Sequence, residues 1–240
     1  MRTIGLIGGM SWESTAVYYR QINEDIRARR GGLASAKIAL QSLDFSEVVA
    51  LQKGNRWDEA ALLLSDAAKR LEAAGADCVL ICTNTMHLVA DAVAASTGIP
   101  LIDIRHETGS VLARAGKKRP LLLATRYTME QGFYADYLRD RFDLDLAIPN
   151  EIDRAKLHSV IFDELCCGLV RAESRQALEK IVQRGRDAGA DSVILGCTEI
   201  CLSLNEDNLA LPVFDSTAIH ARAAVAHALE LEVSSRQDAV

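Results

Sequence analysis

No apolar run in the sequence reaches the roughly 18 residues that a membrane-spanning helix needs, so we expect no membrane partner. A charged-then-apolar leader is also missing, because a predicted strand begins at Thr3, and we expect no signal peptide. The net charge of −6 is spread along the chain without an acidic tail. A nucleic-acid partner would favour a basic face, so this charge argues against one.

Metal and cofactor motifs are equally scarce. Six cysteines are too few for a disulfide framework in 240 residues, and none belongs to a Cys-x-x-Cys pair. Two pairs are spaced by four residues, Cys78 with Cys82 and Cys197 with Cys201, which does not match a zinc site. Residues 5–9 read Gly-x-x-Gly-Gly rather than the dinucleotide fingerprint. We therefore predict reduced thiols in the cytoplasm, no metal and no nicotinamide cofactor.

What the sequence does contain is a regular alternation of short apolar runs, which suit buried strands, with segments of helical period. This alternation predicts a parallel, doubly wound α/β fold. The predicted strands cover residues 3–7, 37–43, 78–82, 101–104, 121–124, 144–148, 192–195 and 212–214. The predicted helices cover residues 12–29, 57–74, 154–169 and 175–188, and others begin near residues 83, 129 and 217.

The strand at residues 192–195 ends in a polar group. It stops at Gly196 and is followed by Cys197, Thr198 and Glu199. In open α/β sheets, ligands bind in the crevice outside the carboxyl ends of the strands. A lone cysteine in such a place can simply be a small buried residue. A thiol beside two polar side chains is also a candidate for chemistry, and a repeat in the chain favours that second interpretation.

The sequence Ala-Gly-Ala-Asp occurs twice, at residues 74–77 and 188–191, with an offset of 114 residues. The same offset carries Thr83 onto Cys197. Each copy reads helix, turn, buried strand and then a polar cluster, although Gly-Ala-Asp alone is a common helix-to-strand turn that can repeat by chance. Internal similarity of this kind predicts two similar half-domains.

We predict that residues 1–104 plus 213–240 form the first half-domain and residues 105–212 the second. A pseudo-twofold axis between them would bring the two sets of strand ends to one cleft, which we expect to be the active site. Thr83 and Cys197 would then lie on opposite sides of a ligand.

Four blocks of the sequence resemble signature blocks of the aspartate/glutamate racemase superfamily. They read GGMSWEST at residues 8–15, TNTMH at 83–87, TRYT at 125–128 and GCTEI at 196–200, and they span nearly the whole chain. Glu199 resembles the aspartate-racemase branch, because glutamate racemases usually carry His there. The resemblance implies an amino-acid racemase that works without pyridoxal phosphate or another cofactor, and a homodimer in the cytoplasm.

The same resemblance implies which residues do the work. Two acid/base groups on opposite faces of the substrate remove and return the Cα proton, here Thr83 and Cys197. Further residues would bind the substrate: Met10, Gln52, Asn84, Thr85, Thr125, Tyr127, Thr128, Lys156, Thr198 and Glu199. Hydrogen-bond donors among them would stabilise the carbanion through its carboxylate.

The chain departs from the family pattern at Thr83, where most members have Cys. A threonine hydroxyl is a poor base, although it can donate or relay a proton. Cys82 does not replace the missing thiol, because consecutive residues of a strand point to opposite faces. In glutamate racemases the second-half cysteine attacks the L-enantiomer, so the resemblance implies that Cys197 deprotonates L-substrates. We therefore predict that L-substrates react well and D-substrates slowly, which resembles the L-specific aspartate/glutamate racemases and related broad-specificity racemases with the TNTMH block.

The substrate side chain is a separate question. Residues 44–52 contain no arginine or lysine to bind a side-chain carboxylate, so small polar substrates such as homoserine stand beside aspartate and glutamate. Other activities of the superfamily remain open: an arylmalonate-type decarboxylase, a hydantoin racemase and a maleate isomerase. A non-catalytic amino-acid-binding protein is an alternative of another class.

Overall fold

The structure, a computed structural model, describes residues 1–237, with the helical backbone alone for residues 230–237. Residues 238–240, which the predicted first half-domain includes, lie outside the described part. The chain forms two compact units, one of residues 1–103 with the chain from His220 onward and the other of residues 104–219. No helix among the described residues combines the length and hydropathy needed to cross a bilayer.

The first unit is built on a parallel sheet of four strands in the order β2-β1-β3-β4. The strands are β1 Ile4–Gly8, β2 Ile38–Ser42, β3 Cys78–Ile81 and β4 Leu101–Ile102. The helices of this unit are α1 Trp12–Arg30, α2 Phe45–Lys53, α3 Trp57–Ala73 and α4 Ala90–Ala95, with a 3-10 helix at Thr85–Val89. The central strands β1 and β3 are buried throughout, as expected of a parallel sheet covered on both faces.

Alternation along β1 and β3 sends side chains to two cores. Ile4 and Leu6 pack with Tyr18 and Ile22 of α1, while Ile7 packs on the opposite face in the core that includes α2 and α3. This arrangement, with helices on both faces of a parallel sheet, confirms the predicted doubly wound α/β class.

The second unit repeats the plan with three parallel strands in the order β5-β6-β7. The strands are β5 Pro120–Ala124, β6 Ser192–Gly196 and β7 Val213–Asp215. The helices are α5 Ile104–Arg114, α6 Arg126–Glu130, α7 Phe133–Phe142, α8 Glu151–Ser159, α9 Ala172–Asp187 and α10 Ser216–Gln237, which continues into the first unit. The half-domain limits expected from the repeat stay a prediction.

Two predicted elements differ in the structure, and helix α5 was not predicted. The strand expected at residues 144–148 is wrong, because pairing there is limited to one bridge, Ala147 with Leu121, and one bond from Asp145 N–H to Lys118 O at 2.9 Å. Pro149 has no N–H to continue a ladder. The helix expected at residues 154–169 is continuous but only partly an α-helix. After α8 the chain widens into a π-helical turn, Val160–Glu164, tightens into a 3-10 turn, Leu165–Cys167, and ends at Gly168 with a φ of 74°.

The two Gly-Ala-Asp turns make the same contact in their own units. The Asp77 carboxylate accepts the backbone N–H of Thr3 at 2.6 Å, just before β1. The Asp191 carboxylate accepts the backbone N–H groups of Lys118, at 2.6 Å, and Arg119, at 3.0 Å, just before β5. Each aspartate therefore ties the start of one strand to the start of the strand beside it.

Replacing Asp191 with Asn should lower the free energy of unfolding by about 1 kcal/mol at neutral pH. Burial of Asp191 raises its pKa, but hydrogen bonds from Lys118, Ser192 and Arg119 outweigh burial, and the pKa lies below its usual value. A carboxyl whose pKa is lowered by folding stabilises the protein above its unfolded-state pKa, and that contribution is lost as the pH falls through the folded-state pKa.

The difference between wild type and Asp191→Asn should therefore shrink when urea unfolding is repeated from pH 7 down to about pH 3. Asp207→Asn, which removes the same charge from an exposed loop, is the control. An equal loss of stability in both variants would mean that the carboxylate does not hold β5.

Candidate active site

The candidate site of the first unit begins at the turn after β1, where the backbone comes unusually close to the end of β2. Leu43 N–H donates to Gly8 O at 3.0 Å, and Gly9 has a φ of 85°. A Cβ on Gly9 would collide with the carbonyl oxygen of Leu43, so this position requires glycine for space as well as for conformation. The Gly9 N–H is held by the Thr15 hydroxyl at 2.8 Å.

Ser11 caps α1, as its sequence position suggests: its Oγ accepts the N–H of Ser14 at 3.3 Å. Met10 between the glycine turn and the cap is 4% exposed. Gln52, at the end of α2, is also buried and directs its Nε2 to Met86 Sδ at 3.2 Å. The loops after β1 and β2 thus meet the TNTMH block at one edge of the sheet.

The TNTMH block leaves β3 with Thr83 partly exposed and Asn84 and Thr85 buried. The Thr83 N–H donates to Ile81 O at 2.8 Å, and His87 Nδ1 lies 2.8 Å from Thr83 O. Both backbone polar groups of Thr83 are therefore held. The structure brings five of the predicted residues to the carboxyl edge of this sheet: Met10, Gln52, Thr83, Asn84 and Thr85.

The candidate site of the second unit starts at Thr125, which caps α6. Its Oγ1 lies 3.1 Å from Thr128 Oγ1 and 3.4 Å from Thr128 N, and both residues are buried. Tyr127 meets the ring of His158 edge-on, with 6.0 Å between ring centroids. Burial and the nearby positive charge of Arg126 lower the pKa of His158. The sequence offered no pattern that would have singled out His158.

Cys197 follows β6 with an extended backbone and begins a 3-10 helix, Thr198–Leu202. Its Sγ lies 2.9 Å from Oε2 of Glu199, a residue that is only 7% exposed. Burial raises the pKa of the Cys197 thiol well above its usual value, and the negative charge of Glu199 raises it further. In this arrangement the thiol carries its proton and donates it in a hydrogen bond to the carboxylate.

Lys156 differs from the other predicted site residues of the second unit, because it lies within helix α8 and not just after a strand, as Thr125 and Cys197 do. It is exposed on α8, two positions before His158, and two positions correspond to about 200° around a helix. The face of α8 that reaches Tyr127 is therefore not the face that carries Lys156. Its role at the substrate side chain stays a prediction.

Both units thus place polar side chains at the carboxyl edge of a parallel sheet, with a hydroxyl after β3 and a thiol paired with a carboxylate after β6. The Asp/Glu/Hydantoin racemase family model matches residues 7–224. The chain belongs to this family. The racemase fold expected from the four sequence blocks is confirmed.

Two solved racemase-family structures are particularly similar to this chain. A candidate Asp/Glu racemase from Yersinia pestis is 46% identical with a TM-score of 0.90, and the match covers 95% of this chain and 100% of that one. An aspartate racemase homologue from Pyrococcus horikoshii OT3 is 31% identical with a TM-score of 0.82, covering 95% of this chain and 99% of that one. The broad specificity amino-acid racemase RacX of Bacillus subtilis is 23% identical over 175 residues, which are 70% of this chain and 72% of RacX.

The contact between Cys197 and Glu199 predicts a measurable shift in thiol chemistry. In the variant Glu199→Gln the negative charge is gone, so the pKa of Cys197 should fall and its alkylation should become faster at a given pH. The rate is followed by iodoacetamide labelling across a pH series, with mass spectrometry of the peptide that contains Cys197. Glu206→Gln makes the same charge change at an exposed position, and equal profiles for both variants would contradict the prediction.

Proposed function

We propose that this racemase inverts the Cα configuration of amino acids by proton transfer between two groups, Cys197 and Thr83, without a cofactor. The observation that carries the proposal is the distance of 2.9 Å between Cys197 Sγ and Glu199 Oε2. A thiol that is hydrogen-bonded to a buried carboxylate has a proton acceptor beside it and can act as an acid/base group. Thr83 supports the proposal as the partly exposed residue among the buried side chains of its block.

Substrate binding would change the charge balance around Cys197. The ammonium group of an amino acid placed near Glu199 would offset the charge that raises the pKa of the thiol. The thiol proton would then move to Glu199 or to solvent, and the thiolate would take the Cα proton of an L-substrate. Thr83 would give its hydroxyl proton to the opposite face of the carbanion and recover a proton from solvent.

The carbanion needs hydrogen-bond donors at the substrate carboxylate. We propose that the polar residues at the two sheet edges provide them, since most are buried and their positions are set by neighbouring contacts. These residues are Asn84, Thr85, Thr125, Thr128 and Thr198, with Met10, Gln52 and Tyr127 lining the site.

The expected substrates are amino acids with an acidic or small polar side chain. Residues 44–52, from the cap of α2 to the residue before Lys53, include no arginine or lysine that could bind a side-chain carboxylate. Homoserine, which has a small polar side chain, should therefore be tested beside aspartate and glutamate. By analogy with glutamate racemases, whose second-half cysteine attacks the L-enantiomer, Cys197 would serve L-substrates, and the weak basicity of Thr83 would make D-substrates slow. The proposal includes a homodimer in the cytoplasm. Light scattering would measure the mass of the assembly.

The decisive experiment follows the Cα hydrogen. L- and D-aspartate, L- and D-glutamate and L- and D-homoserine are incubated with the protein in heavy water, and Cα deuterium is measured by NMR. A racemase exchanges the Cα hydrogen and produces the opposite enantiomer. A decarboxylase of the same superfamily would instead release carbon dioxide from malonates, and a binding protein would do neither.

In this assay Cys197→Ser should lose Cα exchange from L-substrates by at least about 1,000-fold, because a serine hydroxyl does not form a useful base near neutral pH. Cys201→Ser, four residues away in the 3-10 helix that follows Cys197, is the matched control and should retain exchange. Undiminished exchange in Cys197→Ser would remove Cys197 from the mechanism.

Thr83→Cys tests the second group. A thiol there would act as a base, so exchange from D-substrates should rise by about tenfold or more while exchange from L-substrates changes little. Val89→Ala, a buried change at the end of the 3-10 helix that follows Thr83, controls for local disturbance. If the D-substrate rate of Thr83→Cys stays at the wild-type level, Thr83 does not act on Cα.

A further inference from the structure

Three buried side chains, Tyr18, His220 and His87, form a row that ends at the backbone carbonyl of Thr83. The mechanism proposed above does not use them. His87 and His220 are fully buried, with 5.7 Å between their ring centroids, and Tyr18 of α1 is fully buried beside His220. Tyr18 OH lies 2.8 Å from His220 Nδ1, and His220 Nε2 lies 2.7 Å from the carbonyl oxygen of Ile102. The row connects α1, β4 and α10 to the TNTMH block.

The acceptors in this row determine where the protons lie. A backbone carbonyl can only accept, so His220 carries its proton on Nε2 and its Nδ1 accepts from the Tyr18 hydroxyl. Burial, with the nearby His87, lowers the pKa of His220 to about 3, so the ring is neutral at physiological pH. By the same reasoning, His87 carries a proton on Nδ1 and donates it to Thr83 O.

The His87 imidazole gives the carbonyl of Thr83 a hydrogen-bond donor that the neighbouring backbone does not provide. The chain after Thr83 enters a 3-10 helix, Thr85–Val89, and the backbone N–H of His87 donates to Asn84 O at 3.0 Å instead of to the carbonyl four residues back. The carbonyl of Thr83 therefore accepts from the imidazole Nδ1–H of His87 instead of from its backbone N–H. Since the Thr83 N–H is held by Ile81, the imidazole completes the restraint on the residue that carries the hydroxyl.

We propose that His87 is a positioning residue, whose Nδ1–H holds the carbonyl of Thr83 so that the Thr83 hydroxyl stays aligned for proton transfer. His220 packs against the His87 ring, and Tyr18 fixes His220 from the far side. This inference rests on the function proposed above. It assigns a role to the histidine of the TNTMH block and to two residues, Tyr18 and His220, that are far from it in sequence.

A positioning role has a specific kinetic consequence. In an L-substrate, Cys197 alone can exchange the Cα hydrogen with solvent, whereas inversion to the D-enantiomer needs Thr83. Misalignment of Thr83 should therefore lower inversion more than exchange. A general loss of folding would lower both by the same factor, so the ratio of inversion to exchange separates the two causes.

Three substitutions at His87 separate hydrogen bonding from packing. His87→Asn keeps an N–H donor near the position of Nδ1, His87→Gln moves the donor to the position of Nε2, and His87→Leu removes it. For L-substrates, the ratio of inversion to exchange should fall on the order of tenfold in His87→Leu and His87→Gln and be largely restored in His87→Asn. Tyr18→Phe, at the far end of the row, should have a smaller effect.

The outcomes distinguish this inference from the proposed function. If the wild-type protein shows no Cα exchange, the proposed function is wrong. If the wild type exchanges and all three His87 variants keep its ratio of inversion to exchange, only the positioning role is wrong. Loss of exchange and inversion together in every variant, including His87→Asn, would make His87 an essential acid/base or folding residue instead.

A second measurement does not depend on activity. Long-range nitrogen–proton correlation spectra of protein labelled with ¹⁵N-histidine report the tautomer of each ring. The signals are assigned with His87→Leu and with a further variant, His220→Gln. We expect a proton on Nδ1 of His87 and on Nε2 of His220, both slow to exchange because they are buried. An Nε2-protonated His87 would overturn the inference even in an active enzyme.

Discussion

Parallel pairing of buried strands is the constraint on which the candidate site depends. In a parallel sheet all strands end at the same edge, so residues distant in sequence come together wherever their strands stop. In the first unit this edge gathers the glycine turn after β1, the end of α2 and the TNTMH block. In the second it gathers Thr125 and Cys197, because β5 and β6 pair in register from Pro120 with Ser192 to Ala124 with Gly196.

The polar residues at these edges are held mainly by backbone groups and short-range caps. Thr125 caps α6, Ser11 caps α1, and His87 reaches back to Thr83. Such contacts restrict a side chain without requiring a large polar network in the core. In the Cys197–Glu199 pair a charged side chain also takes part, and the carboxylate raises the pKa of the thiol.

Much of this fold could be predicted from the sequence, because a strand buried on both faces appears as a continuous apolar run. The strand before Cys197 is an example, and the family blocks identified the racemase family. The alternating Leu144, Leu146 and Ile148 predicted a strand that is absent, since local alternation cannot show that backbone pairing is limited to Asp145 and Ala147. The row of Tyr18, His87 and His220 could not be predicted, because its contacts join residues up to 202 positions apart.

The protonated state of Cys197 has a consequence for the lifetime of the protein. Peroxides and other oxidants attack the thiolate form of cysteine far faster than the thiol. Burial and the carboxylate of Glu199 both favour the thiol, so they protect this sulfur from sulfenic acid formation. The proposed acid/base group thus rests in the form that resists oxidative damage.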